Sequence, residues 1–259
     1  MNLSTCWQRP RWPPASEVGA LEQIEREVIA CRACPRLVAW RELAASEKVA
    51  RFADQDYWAK PVPGFGDPAA RVLFLGLAPA AHGGNRTGRI FTGDRSGDFL
   101  YASLYRTGFA NQPASVSRGD GLQLTGAYVT AVNRCAPPGN KPTPTERDAC
   151  LPFLTREVAA LRDLRVVVAL GAYAWDAALR TLGASTPVAR PKPRFGHGAQ
   201  AQMGSITLLG CFHPSQQNTF TGKLTEPMLD AVLGRAASLA DLGAQSRPSR
   251  GPAERDNRP

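Results

Sequence analysis

Four short apolar runs recur along the chain, and the stretches between them are helical in pattern. The runs lie at residues 71–77, 127–133, 165–170 and 205–212. Val166-Val167-Val168 and Ile206-Thr207-Leu208-Leu209 are nearly continuous in apolar character, as expected for parallel strands covered on both faces. Helical periodicity occupies residues 21–31, 96–107, 144–161, 172–182 and 226–239. The third of these opens on Thr143 as N-cap, Pro144 at the first helical position and Glu146 three residues after the cap. Strand and helix alternate, which implies an α/β fold: an open parallel sheet with helices on both sides. The 259 residues, 43% of them hydrophobic, suffice for one such domain, placed at residues 16–242. Residues 1–15, rich in Pro and Arg, and the basic tail 243–259 read as disordered.

In open α/β sheets the working residues sit in loops at the carboxyl ends of strands. The loop at 76–94 reads Gly-Leu-Ala-Pro-Ala-Ala-His-Gly-Gly-Asn-Arg-Thr-Gly-Arg-Ile-Phe-Thr-Gly-Asp. Small residues there let a ligand approach the backbone, and Phe91 offers a flat surface for stacking. An ordinary Gly-rich connection is the competing reading. The loop is not a Walker A motif, since no Gly-Lys-Ser/Thr ends it, and Pro79 breaks any Rossmann glycine spacing. The loop at 135–144 is stiffened by prolines and places Asn140 at its tip, as a reader of a polar ring edge or as a plain turn residue. The loop at 213–223 begins with His213 directly after a buried strand, a position that favours function over structure. His82 and His197 are weaker candidates.

Six cysteines in a chain without a secretory signal or a membrane-length apolar run point to a reducing compartment, and so to metal more than to disulfides. Cys31-x-x-Cys34 is followed at once by Pro35; Cys135 and Cys150 come about a hundred residues later. Either an iron–sulfur cluster or a zinc site could staple an N-terminal helix to the core in this way. The net charge is +9, and a body of about +5 persists once both termini are set aside. Such a surface favours a polyanion partner, against the alternative of a protein that is merely basic.

These loops and cysteines together resemble the uracil-DNA glycosylase superfamily, most closely its fifth family, the iron–sulfur "type b" enzymes. The resembling segments are 76–94, Cys-Ala-Pro-Pro-Gly-Asn-Lys-Pro-Thr-Pro at 135–144 and His-Pro-Ser-Gln-Gln-Asn-Thr at 213–219. The resemblance implies a three-layer α/β/α sandwich with a central four-stranded parallel sheet. It also implies a structural 4Fe-4S cluster on Cys31, Cys34, Cys135 and Cys150, with zinc the less favoured alternative. It further implies a monofunctional enzyme that flips uracil, and other deaminated bases such as hypoxanthine, out of double- or single-stranded DNA and cuts the N-glycosidic bond. On that reading Asp94, His213 and Asn140 are catalytic, and Gly76, Ala78, Ala80, Phe91, Asn140, His213 and Asn218 bind the base. Arg86, Arg89 and Lys223 are candidate phosphate contacts, and Gln216 and Gln217 lie near the DNA. Better-known relatives carry an acid near the start of the first loop and an Asn on the second strand. Here those places hold Leu77, Ala78 and Ala131. The expectation is a cytoplasmic, nucleoid-associated monomer that acts on DNA without a membrane. A non-catalytic nucleic-acid-binding protein with a structural metal is the alternative. A zinc deaminase is disfavoured, because no His-x-Glu with Pro-Cys-x-x-Cys is present.

Overall fold

The computed structural model describes residues 19–241. The expected disordered segments 1–15 and 243–259, and Cys6, lie outside the described residues. In chain order the elements are α1 (Ala20–Ala30), α2 (Pro35–Glu47), β1 (Phe65–Gly66), β2 (Val72–Gly76), α3 (Gly84–Thr87), α4 (Arg95–Arg106), β3 (Ala127–Ala131), α5 (Pro144–Ala160), β4 (Val166–Leu170), α6 (Ala172–Leu182), β5 (Gln200–Met203), β6 (Ile206–Cys211), α7 (Gln216–Phe220) and α8 (Glu226–Leu239). Short 3-10 turns cover Ala50–Phe52 and Pro138–Asn140.

All strands join one six-stranded sheet in the order β1-β3-β2-β4-β6-β5. The four apolar runs form its interior, with β3, β2, β4 and β6 paired in parallel. The sheet has six strands rather than four because β1 and β5 pair antiparallel at its two edges. Fully buried interior strands alternate their side chains between two cores. Val72, Phe74, Val129, Val166 and Val168 point to a core closed by Leu100 and Leu104 of α4 and Leu229 and Leu233 of α8. Leu73, Leu75, Val167 and Leu208 point the other way, against Leu154 of α5 and Trp175 and Leu179 of α6. A smaller cluster seats Ile24 and Val28 of α1 on Cys150 and Phe153 of α5.

The chain leaves β2 through α4 on one face and leaves the adjacent β4 through α6 on the other. That divergence opens a crevice at the carboxyl ends of the strands, where ligands bind in sheets of this kind. Thr143 and Glu146 form the expected capping box on α5. Among the described residues, no helix is long and apolar enough to cross a membrane.

Candidate active site

Three of the expected residues meet at the crevice. Gly76 ends β2, and the Phe91 ring lies directly on it, so that a Cβ at position 76 would stand 2.6 Å from Cε2. Phe91 is buried at 7% exposure and takes a left-handed backbone (φ 51°), which turns its ring back over the strand end. His213 follows β6, and its ring centroid lies 5.8 Å from that of Phe91 at an interplanar angle of 36°. Burial pushes the His213 imidazole down to about 4, so the ring is neutral at pH 7.

Asp94 sits three residues beyond Phe91 as the N-cap of α4, where its Oδ1 accepts from Gly97 N at 3.0 Å. Its Oδ2 packs against Gly83, where a Cβ would lie 2.1 Å away. Burial raises the Asp94 carboxyl above its usual range; the N–H groups of Gly97 and Ser96 hold it down in part. Ala78 and Ala80 line the same loop, half-buried, and the Ala80 carbonyl accepts from Gly83 N and Asn85 N at 3.2 and 3.0 Å. Asn218 Nδ2 donates to the His213 carbonyl at 2.8 Å and so closes the third loop on itself.

Asn140 is not brought into this group. It is exposed at the end of the Pro138–Asn140 turn, with φ 57°. Its side chain has no hydrogen bond to another described residue. The loop beneath it is held by Arg36, which donates to the Lys141 carbonyl at 3.1 Å and to both oxygens of Glu146 at 2.8 and 2.7 Å.

Two expected phosphate contacts are otherwise engaged. Arg89 is buried at 5% exposure, with Nη1 and Nη2 on Asp120 at 3.0 and 2.9 Å. Arg86 spends its guanidinium on the His82 and Gly93 carbonyls and on Gln55, stacked over Phe52. Lys223 remains exposed, over the Phe212 ring. His82 pairs with the Tyr57 hydroxyl at 2.9 Å, and His197 Nδ1 accepts from Phe212 N at 3.3 Å.

The residue that sequence reasoning missed is Asn85. It is buried at 1% exposure, and its Nδ2 donates to the Arg41 and Ala81 carbonyls at 3.1 and 3.3 Å. Its place in a Gly-Gly-Asn-Arg-Thr-Gly run was the available signal. Asn133 is likewise buried, with Oδ1 accepting from the Tyr173 hydroxyl at 2.7 Å.

Of the four candidate ligand cysteines, Cys31 caps the end of α1, Cys34 caps the start of α2, Cys135 lies in the loop after β3 and Cys150 lies within α5, all as free thiols. Arg41, buried at 2% exposure, donates from Nη1 to Cys135 Sγ at 3.0 Å and to the Cys31 carbonyl at 3.4 Å. The Arg134 main-chain N–H donates to Cys150 Sγ at 3.4 Å. The Nε atoms of Arg41 and Arg134 are buried without a partner. Among the described residues, no three His, Cys, Asp or Glu side chains are grouped closely enough to hold a single metal ion. N–H donors on Cys135 Sγ and Cys150 Sγ are of the kind that would steady thiolates holding a sulfur-rich anionic group.

A family model described as the uracil DNA glycosylase superfamily matches residues 63–236. A type-5 uracil-DNA glycosylase of Mycobacterium tuberculosis is 54% identical over 230 residues, covering 88% of this chain and 85% of that one. Type-5 uracil-DNA glycosylases of Mycobacterium leprae and Thermus thermophilus are 52% and 51% identical, over 86% and 85% of this chain and 97% and 99% of their own. On this evidence the chain belongs to the uracil-DNA glycosylase superfamily and groups there with the type-5 enzymes.

Proposed function

We propose that this protein is a uracil-DNA glycosylase that begins base excision repair by hydrolysing the N-glycosidic bond of uracil in DNA. The observation that supports this best is the pairing of Phe91 with a neutral His213 over the end of β2, in a chain 54% identical to a type-5 uracil-DNA glycosylase. Because the relatives are named as enzymes, a purely DNA-binding role is the weaker reading.

The chemistry follows from the site. A base within a duplex is out of reach, so it must leave the stack and enter the crevice. There its flat face rests on Phe91. The bond from C1′ to the base nitrogen breaks, the electron pair leaves with the base, and positive charge develops on the sugar. His213, a neutral N–H donor, meets the developing negative charge on the base oxygen. Asp94 faces the sugar side, stabilises the cation and holds the water whose oxygen bonds to C1′. The proton released by that water balances the base anion. Asn140, on its proline-stiffened turn, reads the base edge once DNA has seated against that loop. Leu77, Ala78 and Ala131 contribute no polar side chain, so the pocket discriminates weakly and also takes hypoxanthine.

Cys31, Cys34, Cys135 and Cys150 would hold a 4Fe-4S cluster. The cluster would supply structural cross-linking between α1, α2, β3 and α5, and no reacting electrons. A duplex and a single strand, each with one uracil, test the activity: after incubation and alkali, both are cleaved at the uracil. Intact strands at high enzyme excess, with the metal group in place, would rule the proposal out. The same assay with inosine in place of uracil tests the wider pocket.

A further inference from the structure

The loop that carries Asp94 is braced within itself by Arg86, on the His82 and Gly93 carbonyls, and by Thr87, on the Gly83 and Thr92 carbonyls, but these bonds do not fix it to the rest of the fold. Its turn at Gly84–Thr87 is tethered to the cysteine-bearing lobe through one side chain, that of Asn85. Both N–H bonds of the Asn85 amide are spent, one on the Arg41 carbonyl at 3.1 Å and one on the Ala81 carbonyl at 3.3 Å. Two carbonyls fix which way the amide faces, since the reversed amide would set oxygen against oxygen. Its Oδ1 is left buried without a partner. An unpaired buried acceptor costs free energy, so stability alone does not account for an amide at this position.

On one side of the tether is Arg41, whose guanidinium binds Cys135 Sγ and the Cys31 carbonyl. On the other side is Gly83, whose N–H donates to the Ala80 carbonyl and whose carbonyl accepts from Arg86 N and Thr87 N. Gly83 is the residue against which the Asp94 carboxylate packs. A continuous run of contacts therefore joins a cysteine sulfur to the candidate catalytic carboxylate.

We infer that Asn85 is a positioning residue: it fixes the Gly83–Thr87 turn to α2 and thereby sets where the Asp94 carboxylate stands. The inference rests on the reading of Asp94 given above. A displacement of about 1 Å in a reacting group can lower a rate about 100-fold.

The test is steady-state base release from a uracil-containing duplex by the full-length, metal-loaded protein. Asn85→Ala removes both donors, and Asn85→Ser leaves one shorter hydroxyl donor in their place. Asn85→Ala is expected to lower kcat about 10- to 100-fold, with KM and metal content within about twofold of the parent, and Asn85→Ser is expected to fall between. If Asn85→Ala gives no folded protein, Asn85→Ser carries the comparison alone, with kcat reduced at least about fivefold. A parent-like kcat in every folded Asn85 variant, beside an inactive Asp94→Asn, overturns this inference alone. Full activity in Asp94→Asn overturns the role of Asp94 and this inference with it.

Discussion

The Phe91 ring and Gly76 touch with no room for a methyl group between them: a Cβ on Gly76 would lie 2.6 Å from Cε2 and 2.7 Å from Cζ. Real Cβ atoms do not approach so closely, and Phe91 cannot retreat because its buried ring is part of the core under α4. Gly76→Ala should therefore tilt the ring into the crevice. The expected outcome is base release lowered about 10- to 100-fold, at a stability cost of about 1–3 kcal/mol from overpacking. Parallel kinetics and urea denaturation would measure the two.

His213 should act as a neutral donor throughout the physiological range. Unfolded, its imidazole titrates near 6.5; folded, burial holds it near 4. Between those values only the unfolded chain binds the proton, so acidification favours unfolding. The contribution is complete above pH 6.5 and is lost as pH falls toward 4. Moving from pH 7 to pH 5 should remove about 2 kcal/mol. His213→Gln should abolish that part of the pH dependence in urea denaturation. His213→Ala should lower kcat about 100- to 1000-fold, as loss of one charge-stabilising donor does elsewhere.

Arg134 and Glu157 form an ion pair at 1% exposure each, with Nη1 and Nη2 on the two carboxylate oxygens at 2.9 and 2.6 Å. Thr130 donates to the same carboxylate and also contacts Arg134 Nη1. Glu157→Ala strands a buried guanidinium and should cost about 3–5 kcal/mol. The double change Arg134→Met with Glu157→Leu should cost less than Glu157→Ala alone. Denaturation midpoints of the three proteins decide this, and a double variant weaker than the single would refute it.

Cys150→Ser should lower bound iron and sulfide and bleach a brown preparation, whereas Cys211→Ser should change neither. Cys211 lies buried within β6, away from the other thiols, among apolar neighbours. Stoichiometric zinc in a colourless parent protein would instead assign the site to a single-metal chemistry. If the four thiols hold such a group, a chelator that removes it should lower the melting temperature, because they stand at the ends of α1 and α2, after β3 and within α5.

The interior strands and five of the helices were legible because each is long enough to bury a periodic apolar face, and their ends fall within one or two residues of the pattern. β1 has two residues, and β5 alternates exposed and buried positions over four. Each exists only because β3 or β6 supplies the pairing partner, which local sequence cannot reveal. α2 is hidden for a different reason: Pro35 directly after Cys34 signals a cluster-ligand context as readily as a helix start. Arg89 looked like a surface cation because its partner, Asp120, is 31 residues away. That Phe91 and Asp94 lie in the loop between β2 and α4, and His213 just after β6, could be read from the chain. The left-handed turn that folds Phe91 onto Gly76 could not, since no local residue demands it.

The two short antiparallel edge strands also bear on solubility. Val166–Leu170 is an uncharged run of Val, Val, Val, Ala and Leu, the composition that stacks readily between molecules when its backbone is bare. In the sheet it lies between β2 and β6 and never at a rim. The rims are left to a two-residue strand and to one carrying Gln200 and Gln202 on its outward positions. Among the described residues, a second molecule therefore finds no long apolar edge strand to extend. Aggregation through Val166–Leu170 should accordingly require β2 or β6 to part from β4 first.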